Sequence, residues 1–239
     1  LPAVWIGENE RARAERNNYT VVPASSVIAT HLTDVIRGHG YELLTRDESK
    51  KLLDGLKEKC PAVVDEVVGP LLKVGEVQKV LQNLLRERVP IRDLQTVLET
   101  LGDWAARTKD LEILTEYVRN ALARTICAQY QDRSGTLHCL TLDPALEDAI
   151  NAATERTDSG SYLTLPPAQA GKIVEKIRQE IERNVAVHQV VILCSPQIRL
   201  NLRRMIESSL PNVPVLAFNE VVKDVKVQSH GLIAMDGQG

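Results

Sequence analysis

Residues 74–101 read VGEVQKVLQNLLRERVPIRDLQTVLETL, and this stretch decides the fold. Val74, Val77, Leu81 and Leu84 recur at three- and four-residue steps, with Lys79, Gln82 and Arg86 opposite, which is the pattern of a half-buried helix. Val89-Pro90 ends it, because proline has no amide hydrogen and restricts the residue before it. Ile91, Leu94, Val97, Leu98 and Leu101 then form the inward stripe of a second helix. The pair predicts a helical hairpin whose Leu81, Leu84, Leu94 and Leu98 are buried.

Upstream, Ala3 to Ile6 and Tyr19 to Val22 read as short strands. A helix is expected from Ala24 to Leu44, with Val27, Ile28, His31, Leu32, Val35 and Ile36 on one face. Thr45 followed by Glu48 has capping-box spacing, so the next helix starts at Arg46 and carries Leu52, Leu53 and Leu56 inward until Cys60-Pro61. A short helix over residues 61–68 and the Gly69-Pro70 break precede the hairpin. Downstream, Asp110 is expected to cap one long helix through Ile126, so residues 24–130 are almost wholly helical.

The register changes at Gly135. Leu137 to Leu142 reads as a strand, and Asp143-Pro144 as a helix start. Residues 154–164 are polar and read as a linker, with a boundary near Pro166. Beyond it come a helix to about Asn184, the continuous apolar strand Val190 to Cys194, and a helix after Ser195-Pro196 whose outside holds Arg199, Arg203 and Arg204. Strands over Val213 to Phe218 and Val225 to Val227 complete the module. The fold class is therefore α+β, mostly helical, with several small subdomains and a C-terminal α/β module.

Composition narrows the function. Of 239 residues, 44% are hydrophobic and 3% aromatic, so the core is aliphatic. Lys+Arg 29 against Asp+Glu 32 gives a net charge of −3, which argues against a protein that works mainly by neutralising nucleic-acid phosphates. No stretch approaches the roughly 18 apolar residues of a membrane span, and the apolar start lacks a basic leader, so a soluble, non-secreted chain is expected. The initial Leu1 suggests a segment of something longer. Cys60, Cys127, Cys139 and Cys194 lack metal or disulfide spacing and read as structural thiols in a reducing cytoplasm.

No catalytic constellation emerges. Ser195 follows a strand and precedes a helix but lacks the flanking glycines of a nucleophile elbow, so it reads as a helix cap. His230, near Asp224, reads as an exposed strand residue. Glycine-rich phosphate loops and convergent carboxylate pairs are missing from the sequence, so neither enzyme nor cofactor is indicated. Arg199, Arg203 and Arg204 read as a solvated basic face rather than an RNA platform, because Phe218 is the only aromatic near them.

The run Lys79 to Leu101, with Tyr19-Thr20-Val21-Val22, Ser26 to Leu32 and Glu42-Leu43-Leu44-Thr45-Arg46, resembles the cytoplasmic part of the flagellar export-gate family, the FlhA family. InvA-like proteins of virulence injectisomes are its homologues. The resemblance covers nearly the whole chain and favours the flagellar branch. It implies a non-enzymatic docking platform at the cytoplasmic face of the bacterial inner membrane. Its expected partners are chaperone-bound export substrates, components of the export ATPase and further copies of itself in a ring of nine. An injectisome gate, or a small α/β enzyme or RNA-binding protein, are the alternatives.

The resemblance also implies four subdomains. The first is split between residues 1–19 and 69–88, the second is residues 20–68, the third 89–165 and the fourth 166–239. Chaperones of the family dock in a shallow depression between the first two. Position by position, the depression falls on Tyr41, Glu42, Leu44, Val74 and Gly75. Leu44 stands where the family has an aromatic, Gly75 where threonine is common, and the acidic member matches Tyr41 by spacing or Glu42 by type. The residues alone favour the plainer reading, in which Tyr41 and Leu44, one turn apart, pack inward, and the resemblance sets the docking reading level with it.

Overall fold

A computed structural model describes residues 3–157, 160–184 and 189–235. Eight helices lead: α1 (Arg11–Arg16), α2 (Ala24–Leu43), α3 (Arg46–Lys57), α4 (Pro61–Val67), α5 (Val74–Arg86), α6 (Leu94–Ala105), α7 (Leu111–Ala121) and α8 (Ala123–Tyr130). Then follow β1 (Thr136–Leu142), α9 (Pro144–Ala152), the strand pair β2 (Thr154–Thr157) and β3 (Gly160–Leu163), α10 (Pro167–Asn184), β4 (Val191–Cys194), α11 (Arg199–Glu207), β5 (Val215–Ala217) and β6 (Lys226–Ile233).

The α5–α6 hairpin forms as its periodicity dictates, and Leu81, Leu84, Leu94 and Leu98 are all buried. The caps also match: Thr45 accepts from the Glu48 amide, Asp110 from those of Glu112 and Ile113, and Asp143 from that of Ala145. The helix begun by Asp110 is interrupted at Leu122, which closes α7 and opens α8.

Strands β5-β4-β1-β6 form one parallel sheet, and alternation assigns its two faces. Leu137, Cys139, Val191, Leu193 and Leu216 join the core of helices α3 to α8. Leu140, Leu142, Ile192, Cys194 and Val215 join a second core with α9, α10 and α11. The continuous apolar run at β4 is thus a strand covered on both sides. Its neighbour β1 comes from before Pro166. All four cysteines are free thiols.

Several expectations fail. Residues 3–6 and 19–22 are not strands, because among the described residues no neighbouring strand offers them a ladder, and Trp5 is 77% exposed. Helix α2 forms but buries none of its residues. Leu52 is exposed rather than inward. The polar stretch read as a linker is the antiparallel β2–β3 hairpin. Buried Asn201 of α11 fastens it, donating to Thr154 while accepting from the Ser161 hydroxyl, and Arg204 donates to both the Ser161 carbonyl and Glu112 of α7. Asp158 and Ser159 of that stretch, and Leu1 and Pro2 of the first expected subdomain, lie outside the described residues. His230 is half-buried, with its Nε2 2.7 Å from His138 Nδ1, because a bulge in β6 turns it toward β1.

The largest correction concerns Arg199 and Arg203, which are buried rather than solvated. Arg199 clasps Glu87 with two bonds of 2.7 and 3.0 Å and Glu116 with two more. Arg119 of α7 donates to Glu87 at 3.2 Å and to Glu220 at 2.6 Å. Burial pushes the Glu87 carboxyl up, but Arg119 and Arg199 outweigh it and carry it down to about 2. This cluster joins the end of α5, helix α7, helix α11 and the 3-10 turn Phe218–Glu220 after β5.

Two outcomes follow from this packing. Leu84→Ala removes a fully buried side chain and should cost about 2–5 kcal/mol in urea unfolding, whereas a cost near zero would move Leu84 to a surface stripe. Glu87→Gln should cost about 3–5 kcal/mol near neutral pH, because two buried guanidinium groups lose their shared anion. A glutamate depressed to about 2 when folded stabilises fully above its unfolded value of about 4.3, and that contribution drains away as pH falls toward 2. Glu87→Gln should flatten the pH dependence in that window, and an unchanged slope would contradict the clamp.

Candidate functional site

Helix α2 ends over α5, and the junction gathers all five residues marked in the sequence. Glu42 accepts from His39 Nδ1 at 2.9 Å and from the Tyr41 hydroxyl. These hydrogen bonds, His39 foremost, hold its carboxyl below the ordinary range, while donation to Glu42 pushes the Tyr41 hydroxyl up. The Arg86 guanidinium of α5 lies 4.7 Å from the centre of the Tyr41 ring, a cation–π contact.

The chain turns at Leu44, whose carbonyl accepts from Gln78 Nε2 at 2.9 Å and Gln82 Nε2 at 3.1 Å. These two glutamines, one turn apart on α5, fix the start of α3. Gly75 lies beneath Arg46: a Cβ there would come within 2.5 Å of Arg46 Nη2, so any side chain must displace that guanidinium. Val74 is half-buried against the helical core.

The open depression expected at Leu44 is not what forms. Leu44 is only 7% exposed and belongs to the helical core, because the two glutamines draw its backbone down onto α5. The exposed apolar residue here is Leu43, at 62%. It prolongs an open stripe along α2, Ile28, Leu32 and Ile36, spaced four residues apart on one face. Sequence reasoning missed Leu43, Arg46, Arg86 and the Gln78–Gln82 pair. The glutamine spacing beside Val77 and Leu81 was the available signal, since polar residues at that interval can serve one shared acceptor.

Comparison with known proteins identifies the group. The model of the FHIPEP family matches residues 1–226. The chain belongs to the FHIPEP family. It is 41% identical over 234 residues to the flagellar biosynthesis protein FlhA of Bacillus subtilis, covering 98% of this chain and 35% of that protein. Its fold matches CdsV in the structure of the Chlamydia pneumoniae CdsV and CdsO complex, with TM-score 0.85 and 29% identity over 96% of this chain and 67% of that one. It also matches the nonameric EPEC SctV-C structure, with TM-score 0.82 and 30% identity over 95% of this chain and 68% of that one. The chain thus spans about a third of the FlhA protein, within the region that forms the C-terminal domain of such relatives. Among the described residues no helix is long and apolar enough to cross a membrane.

The burial of Leu44 at this seam makes it a contributor to stability. Leu44→Ala should cost about 2–5 kcal/mol in chemical denaturation, as a core truncation does. An unchanged unfolding midpoint would return Leu44 to an open depression.

Proposed function

We propose that the chain is a docking platform of a flagellar type III protein export gate, receiving chaperone-bound export substrates along the seam between α2 and α5. The observation that carries this reading is the exposed apolar stripe of α2 running into Leu43 and Glu42. A partner helix could lay its apolar face there, with Glu42 supplying a charged rim. Tyr41 is held by Arg86 and Glu42, Gly75 keeps Arg46 in place, and Leu44 and Val74 act from below by fixing the α2–α5 angle. Family membership, and a greater identity to flagellar FlhA than to CdsV or SctV-C, support the flagellar assignment.

The same reading has the full-length protein anchored in the bacterial inner membrane with this part facing the cytoplasm. Nine copies would form a ring, as in the nonameric SctV-C, and components of the export ATPase would bind it too. Weak contacts between neighbours suffice for such a ring when the anchors hold the copies together, because tethering raises their effective concentration. The platform turns over no substrate.

Titration with flagellar chaperone–substrate complexes tests the proposal. Leu43→Ser and Glu42→Lys alter exposed side chains, so both should leave the melting temperature nearly unchanged while weakening binding at least roughly tenfold, as hot-spot residues do. Gly75→Asp, which displaces Arg46, should do the same. Undiminished binding by all three variants would remove the seam from the docking surface.

A further inference from the structure

The outer strand of the parallel sheet, β6, pairs with β1 through a register shift. Ser229 stands opposite Cys139 and Gly231 opposite Leu140, which leaves His230 as the extra residue of a bulge. His138 of β1 is only 4% exposed, and both nitrogens of its ring are engaged. Its Nε2 is 3.1 Å from Asp132 Oδ2, and its Nδ1 is 2.7 Å from His230 Nε2. Asp132, on the turn before β1, also accepts from the Thr136 amide at 2.9 Å, the Ser134 amide at 2.8 Å and the Ser134 hydroxyl at 2.7 Å.

These bonds fix where the hydrogens lie. The Thr136 amide first, then Ser134 and His138, hold the Asp132 carboxyl well below the usual carboxylate range, so it is an anion and only accepts. His138 Nε2 therefore donates to it. A single hydrogen fits between His138 Nδ1 and His230 Nε2, because each ring nitrogen is either a donor or an acceptor. With the contact closed, the two rings carry at most three hydrogens on their four nitrogens. A fourth sets one N–H against another, and the contact must open. The closed pair thus binds one hydrogen fewer than two independent imidazoles, so opening gains as pH falls.

The surroundings make the bulge the place that gives way. Lys176 and Glu180 of α10 are half-buried, and Glu180 Oε2 lies 3.8 Å from the point a Gly231 Cβ would occupy, while its other oxygen accepts from Arg183 at 2.6 Å. Arg133 of the turn and Lys226 of β6 are exposed, as is the weak pair Arg124–Asp224 beyond α8. Val191, the β4 neighbour of Cys139, is apolar. Below the bulge Ile233 is fully buried and its carbonyl accepts from the Asp143 amide, so that end of β6 stays anchored. We propose that His138 and His230 form a proton latch on the sheet edge: up to three ring hydrogens keep the bulge of β6 closed, and the fourth, taken up in acid, opens it. The device is regulatory, since it makes the order of an outer strand depend on pH in the range where imidazoles titrate.

The test uses the whole chain. Long-range 1H–15N spectra of the imidazoles count the ring hydrogens, and amide exchange, corrected for its intrinsic pH dependence, reads the strand. An ordinary imidazole takes up its proton near about pH 6.5, so residues 229–232 should exchange at least roughly tenfold faster at about pH 5 than at about pH 7.5. Residues 191–194 of β4 should not change. His230→Gln keeps a donor for His138 Nδ1 but takes up no proton, so its residues 229–232 should exchange alike at both pH values. Equal acceleration in wild type and His230→Gln would overturn the latch, as would wild-type exchange that does not respond to acid. If His230→Gln does not fold, the wild-type spectra decide: a fourth ring hydrogen that arrives together with faster exchange supports the latch, and one that arrives without it overturns it.

Discussion

Glu87 is the constraint on which the rest of the structure depends. It sits at the C-terminal end of α5 and shares its carboxylate between Arg119 and Arg199, so one side chain ties the helical block to the sheet module. Such a buried ion cluster adds little net stability over apolar residues of equal volume, yet losing one member is expensive. Its contribution is geometric: it permits one arrangement of α5, α7 and α11, the one in which every charge is answered. Arg119 passes the constraint to Glu220, whose other oxygen accepts from the Ala217 amide and so holds the end of β5.

Helix α5 carries that constraint to the opposite end of the helical block. Its buried face, Val77, Val80, Leu81 and Leu84, forms the centre of the core. Its upper side holds the α2–α3 junction through Gln78, Gln82 and Arg86. The α2–α5 seam and the clamp therefore share one rigid element, and the angle of α2 is referred to the sheet through α5. Helix α2, with no buried residue of its own, is free to offer its apolar stripe.

Helices with an inward stripe and a cap were legible in the sequence, because periodicity and capping are local: α5, α6 and the starts of α3, α7 and α9 read correctly. The double-sided burial of β4 was legible for the same reason. What was not legible depended on partners distant in the chain. Arg199 and Arg203 have the spacing of a solvated helical face, and only the approach of Glu87 and Glu116 turns Arg199 into a buried clasp. The stripe of α2 has the period of a core helix, yet nothing in the described structure covers it. The apolar runs before α2 have strand-like composition without a neighbouring strand. At the seam, residue matching put Leu44 in an open depression where the structure buries it and exposes Leu43 instead, since the backbone anchoring of Leu44 by two glutamines leaves no trace in spacing.

Hydrogen exchange read by mass spectrometry, on the chain alone and with a flagellar chaperone–substrate complex, tests the central claim most directly. Docking on the seam predicts slowed exchange in residues 24–46 and 74–86, with the sheet strands little changed. Protection confined to residues 136–233, with α2 exchanging as before, would contradict it.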